Sequence, residues 1–286
     1  MRDYLELTKP RVTSLILMST AVGYYFGTGA WHYSVFFYTL LGTALLASGT
    51  AVLNEWCERE TDAKMHRTRQ RPIPSGRLAP AMVLVFGLLL SAAGFADLAI
   101  KVNATAALCG LLTLASYLFV YTPLKRRTPH ATTVGALTGA MPPLIGYAGA
   151  HGALTGEAWA LFAILFLWQF PHFLSIAWMH REDYGRAGIV FLPVVDADRT
   201  STARQMLIGS LLLIPVSLLP MRLSMDGWVY GAGALLLGSG YLCATLRVCA
   251  SRTTARAREL LLASVIYLPL LYALMVVDGF PLRPGG

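Results

Sequence analysis

The sequence predicts an all-α, polytopic membrane protein with nine transmembrane helices and a cytoplasmic N-terminus. Three observations lead there. Hydrophobic residues make up 56% of the 286 positions and charged residues only 13%, about half the charged share of a soluble domain. Apolar runs of membrane-spanning length recur from end to end, so one membrane domain is expected over 1–286. The basic residues between those runs alternate in the way that fixes orientation in a bilayer.

The nine spans follow in order. MRDYLELTKPR carries two acids, and the run after it lacks a small-residue cleavage pattern. The run at 12–29 is therefore read as a permanent first span, not a signal peptide. It is short and holds Gly23, Gly27 and Gly29 near its end. The second span, 34–53, runs into a polar segment closed by Pro72, Pro74 and the Ser75-Gly76 turn. Spans at 80–100 and 104–121 come next. The fifth, 131–150, contains Met141-Pro142-Pro143, where proline kinks the helix. The sixth, 157–179, carries His172 after Pro171, and runs at 205–221, 228–247 and 259–277 complete the set. None of the four cysteines forms a CxxC pair, which argues against a disulfide framework or thiolate metal site.

A net charge of +8 in a soluble protein would suggest nucleic acid. Here all 23 lysines and arginines except Lys101, Arg222 and Arg283 fall on the side assigned to the cytoplasm. Most of that excess needs no more than the positive-inside rule. The acids are lopsided too: of the 15, all but Asp97, Glu157, Asp226 and Asp278 share that side. Acids contribute little to orientation, so their enrichment points to a polar site at one face. A transporter keeps ionisable groups near the midplane, and these do not lie there.

The sharpest pattern is LNEWCERETDAK at the end of span 2. Asn54, Glu58 and Asp62 are spaced by four. Each step turns a helix by about 40° and climbs about 6 Å, so the three fan over one face as a ladder. Such a ladder suits two Mg²⁺ ions, one between each neighbouring pair, bridging a diphosphate. Lys64, Arg67 and Arg71 follow, and arginine is shaped for bidentate phosphate contact. Glu55 and Glu60 read as a solvated helix end, with Glu60 pairing to Lys64.

These residues carry a resemblance. Asn-x-x-x-acid-x-x-x-Asp at the end of a second span, followed by the basic RTRQRP segment, resembles the UbiA-type superfamily of intramembrane prenyltransferases. WQFPHFLSIAWMHREDYGRAGIVFLPVV, residues 168–195, and YTPLKRRTP, residues 121–129, are similar to the haem O synthase group within it. The resemblance implies helices around a central cavity, in a bacterial plasma membrane, with the site facing the cytoplasm. It implies transfer of a farnesyl group from farnesyl diphosphate to a vinyl group of haem b, with addition of water. Mg²⁺ is the implied cofactor, and haem-oxidase assembly proteins are the implied partners. In that frame Asn54, Glu58 and Asp62 hold metal, with Glu182 or Asp183 contributing from the second loop. Arg67, Arg71, Lys125 and Arg126 contact the diphosphate. Two departures stand out. Glu58 occupies a position where aspartate is common, and the second acidic motif is reduced, with His180 and Tyr184 at its spacings.

Two residues carry alternatives. Tyr121 lies one turn before Lys125 and either lines the same pocket or anchors the helix at the interface. His172 sits inside a span, where an ionisable side chain is costly. It ligates haem iron or bonds a propionate, or it handles a proton, or it bonds a neighbouring helix.

Overall fold

The computed structural model describes residues 1–279. Arg283, counted above on the outer side, lies outside them. Among the described residues every regular element is a helix. They are α1 Arg2–Leu7, α2 Pro10–Gly27, α3 Tyr33–Asp62, α4 Pro80–Val102, α5 Ala104–Leu124, α6 Ala131–Gly139 and α7 Pro142–His151. After these come α8 Gly156–Met179, α9 Arg181–Arg186, α10 Leu192–Val195, α11 Thr200–Arg222, α12 Trp228–Ser251 and α13 Thr254–Gly279.

Each of the nine apolar ranges is helical. Seven helices, α3, α4, α5, α8, α11, α12 and α13, are long and apolar enough to cross a membrane. Length and apolarity thus mark seven spans where the sequence predicts nine. The other two ranges differ for physical reasons. α2 has 18 residues in which Thr, Ser, Gly and Tyr interrupt the apolar ones. The fifth range is broken into α6 and α7, because Pro142 and Pro143 bring no N–H to continue α6 and instead start α7.

α7 is almost wholly buried, and it crosses α2 at very short range. A Cβ on Gly146 would fall 1.9 Å from Thr20 O, and one on Gly23 would fall 2.1 Å from Pro143 O. Glycine at both positions lets the two backbones touch. Outward faces remain apolar: Leu89 is 64% and Leu236 75% exposed. Such surface belongs in lipid rather than water.

One end of the bundle gathers the basic loops. A small apolar cluster of Met65, Ala131, Ala177, Ala187, Ile189 and Phe191 ties together the loops after α3, α5 and α8. The Val190 N–H donates to Lys125 O at 3.0 Å and joins two of them directly. α1 lies against the first loop. Its Leu7 is buried among Val52, Ile73 and Val83, and Arg77 pairs with Asp3 and Glu6.

Candidate active site

α3 does not stop at residue 53 but runs on to Asp62, so the whole ladder stays helical. Asn54, Glu58 and Asp62 are 3%, 7% and 1% exposed, which places all three inside the protein at the basic end. Each has a partner from another segment. Asn54 Nδ2 donates to Thr122 Oγ1 at 3.2 Å. Thr122 Oγ1 donates in turn to Tyr117 O at 2.8 Å, across the π turn Ser116–Tyr121 inside α5. Glu58 pairs with Lys125, also buried. Asp62 Oδ2 accepts from Arg71 Nη1 at 2.7 Å.

Two residues join them that sequence reasoning did not assign. Glu55, read above as solvated, is 3% exposed. It lies 3.4 Å from Lys9 Nζ and 3.6 Å from Arg71 Nε. The helical angle explains the correction. Counting about 100° per residue, Glu55 lies about 100° from Asn54 and Asp62 about 80°, so the two share a face. Glu60 lies on the far side and is solvated as expected, but its partner is Arg59 at 3.6 Å rather than Lys64. Lys9 is held at the α1–α2 junction in a left-handed conformation, φ 48°.

The electrostatics follow from this packing. Burial pushes the Lys9 ammonium below the usual lysine range, and Arg71 adds to that push against the pull of Glu55. Burial also acts to lower Arg71, but Asp62 and Glu55 outweigh it and hold the guanidinium above its ordinary value. Three cations, Lys9, Arg71 and Lys125, therefore face three carboxylates, Glu55, Glu58 and Asp62.

The second loop divides its two acids. Asp183 turns toward the first loop, where its carboxylate accepts from the backbone N–H of His66 and of Arg67, each at 3.3 Å, and pairs with Arg186. Burial acts to raise its pKa, but those two backbone donors and Arg186 hold it below the usual carboxylate range. Glu182 points outward at 80% side-chain exposure and pairs with Arg181 at 3.7 Å. Arg67 is exposed and reaches the Tyr184 hydroxyl at 3.4 Å. Tyr121 lies under Lys125, whose Nζ is 5.7 Å from the ring centroid, and its ring is 5.0 Å from that of Tyr117.

Not every expected residue joins this site. Arg126 turns away from its neighbour Lys125 into an outer cleft of about 640 Å³, with Lys64, Arg127 and Arg186. His172 packs between α8 and α13: its Nδ1 lies 2.7 Å from Ser264 Oγ, and its ring stacks on Trp168 at 4.5 Å. It lines neither that cleft nor an inner apolar slot of about 160 Å³. The slot starts at Lys9 and Tyr117 and runs beside α3 from Ala51 back to Thr43, with Gly110 and Gly139 in its walls. Eight residues of helix make it about 12 Å long.

The donors present suit a hard cation. Asp62 Oδ1 and Glu55 Oε2 are buried oxygens without a hydrogen-bond partner, and oxygen atoms are what Mg²⁺ takes. Among the described residues no three His, Cys, Asp or Glu side chains converge on one point. A cation bound here would take the rest of its coordination shell from water or substrate.

Comparison with known proteins identifies the family and the fold. The model of the UbiA prenyltransferase family matches residues 16–271. A protoheme IX farnesyltransferase of Solibacter usitatus is 59% identical over 295 residues and covers 100% of both chains. One of Salinibacter ruber is 46% identical, covering 97% of this chain and 99% of its own. Among solved structures, a digeranylgeranylglyceryl phosphate synthase is similar with a TM-score of 0.82 at 16% identity, covering 98% of each chain. A UbiA homologue from Archaeoglobus fulgidus bound to GPP and Mg²⁺ is similar with a TM-score of 0.69 at 16% identity, covering 98% of this chain and 99% of its own. These two likenesses speak to the fold.

Proposed function

The chain belongs to the UbiA prenyltransferase family, and from that premise we propose that it transfers a farnesyl group from farnesyl diphosphate to a vinyl group of haem b, with addition of water, to give haem O. The observation that carries this reading is a buried, charge-balanced cluster at the end of an apolar slot, in a chain 59% identical from end to end to a protoheme IX farnesyltransferase.

Arg71 and Lys125 are kept in place by Asp62 and Glu58 and donate to the diphosphate oxygens, with Lys9 beside them and Arg67 closing from the first loop. Their charge is matched by acids, so the cluster alone adds little net attraction for a diphosphate. Mg²⁺ would be held by neighbouring pairs among Asn54, Glu58 and Asp62, with Asp183 contributing from across the loops, and would supply the positive charge that eases departure of the diphosphate. The isoprenoid chain lies in the slot, where each buried methylene contributes about 0.8 kcal/mol.

As the C–O bond breaks, its electron pair leaves with the diphosphate. The faces of Tyr117 and Tyr121 stabilise the allylic cation that remains. The terminal vinyl carbon gives its π electrons to form the new C–C bond. The cation left beside the porphyrin takes water and releases a proton.

We also read the two ranges that apolarity alone does not mark, α2 and the α6–α7 pair, as crossings. That makes nine, with the N-terminus and the site on the cytoplasmic face of a bacterial plasma membrane. Haem-oxidase assembly proteins are the protein partners this product calls for.

The test is direct. Protein reconstituted in vesicles receives haem b, farnesyl diphosphate and Mg²⁺, and the extracted haem is weighed by mass spectrometry. Haem gaining one farnesyl group and one water is expected, and Asp62→Asn removes the product. Unchanged haem, or prenylation of 4-hydroxybenzoate in its place, overturns the reading.

A further inference from the structure

The outer cleft has a different character from the buried cluster. Lys64, Arg126, Arg127 and Arg186 converge on it, with Gly185 and Gly188 in its wall. Arg186 is paired with Asp183, whose oxygens also serve two backbone N–H groups. Among the described residues no carboxylate pairs with Lys64, Arg126 or Arg127, so the cleft keeps a surplus of three positive charges. The positive-inside rule accounts for basic loops but not for their convergence on one concavity.

The wall is built for open access. α9 ends in a Schellman turn, in which the Gly188 N–H donates to Gly185 O at 3.1 Å and the Ile189 N–H to Tyr184 O at 2.9 Å. Gly188 adopts φ +71°, and a Cβ there would meet nothing within 4 Å. The backbone therefore bends away and leaves the cleft clear of side chains at that edge.

Position gives the cleft its meaning. Arg126 follows Lys125, Lys64 lies two residues after Asp62, and Arg186 lies three after Asp183. The cleft is thus the outer neighbour of the buried cluster. A haem b acceptor is polar at one edge, where it carries two propionates, and apolar at the opposite edge, where it carries its vinyl groups. We propose that the outer cleft binds the two propionate carboxylates of the porphyrin acceptor and so turns its vinyl edge inward, toward the buried cluster. Paired arginines hold carboxylates bidentately, which fixes orientation as well as affinity. This assignment rests on the reading of the protein as a haem farnesyltransferase. It moves Arg126 from the diphosphate to the acceptor, and it places the propionates away from His172.

The experiment compares haem b with its dimethyl ester, whose propionates carry no charge, in the reconstituted wild type and in the double variant Arg126→Gln/Arg127→Gln. In the wild type the KM for the ester exceeds that for haem b by about ten-fold or more, the scale of one charge-assisted hydrogen bond. In the variant the KM for haem b rises by a similar factor, again about ten-fold. The KM for farnesyl diphosphate stays put, and the preference for haem b over the ester disappears. Two results overturn the proposal: a wild type that treats the two acceptors alike, or a variant whose KM rises for farnesyl diphosphate instead. The ester comparison uses the wild type alone and decides the matter even if the variant does not fold. A wild type that makes no farnesylated haem rejects the underlying reading instead, and does so before any acceptor is compared.

Discussion

At the scale of single residues, the site depends on compensation between neighbouring charges. Glu55 is the clearest case, because its carboxylate is 4% exposed and serves both Lys9 and Arg71. Replacing it with Gln leaves two crowded cations with one carboxylate fewer. We expect Glu55→Gln to lower stability by ~2 kcal/mol, toward the low end for a broken buried pair because Lys9 is still a quarter exposed. The double variant Glu55→Gln/Lys9→Met should recover part of that loss, since both members of the pair are then gone. Unfolding midpoints in detergent measure this, and strictly additive losses would show that Lys9 and Glu55 do not act together. His172 shows the opposite case. Its sequence position left a haem-related role and a bond to a neighbouring helix both open, and its Nδ1 lies beside Ser264 of α13, a partner 92 residues away whose identity no local pattern reveals.

At the scale of elements, proline and glycine decide how the helices meet. Pro142 and Pro143 break the fifth range, and this follows from their missing N–H groups. What the broken piece then packs against depends on Gly23 and Gly146. At Gly146 an added methyl group meets the Thr20 carbonyl at 1.9 Å, and that atom belongs to backbone, which has little room to give. Gly146→Ala should therefore destabilise the protein by about 1–3 kcal/mol, the usual cost of overpacking. Gly240→Ala is the control, since a Cβ there has nothing within 4 Å. Equal thermal stability of the two variants would remove the argument for close contact between α2 and α7. The π turn Ser116–Tyr121 matters in the same way, because it carries the carbonyl that holds Thr122 and, through it, Asn54.

At the scale of the whole molecule, three loops from distant parts of the chain close one end of a bundle. The apolar cluster under them is their common anchor. Its members come from residues 65 to 191, so segments distant along the chain share one apolar anchor. The proposed orientation has a simple check. With the native cysteines replaced by serine, Arg69→Cys and Ala153→Cys put single thiols at exposed positions at opposite ends of the bundle. A membrane-impermeant maleimide added to intact cells should label Ala153→Cys and spare Arg69→Cys until the membrane is opened. The reverse pattern would invert the topology and place the site outside.

The sequence by itself determined the class of the protein, the approximate places of its helices, an irregularity at Pro142 and the spacing of the ladder Asn54–Glu58–Asp62. All of these rest on hydropathy and on helical angle, which are local along the chain. Tertiary structure alone decided that Lys9 and Glu55 belong to the site, that Asp183 rather than Glu182 faces the first loop, and that Lys125 and Arg126 part company. Each of these turns on which distant segments meet. Such meetings are set by how closely helices like α2 and α7 pack and by the shared apolar plug beneath the loops, quantities that belong to the folded volume and not to any stretch of sequence.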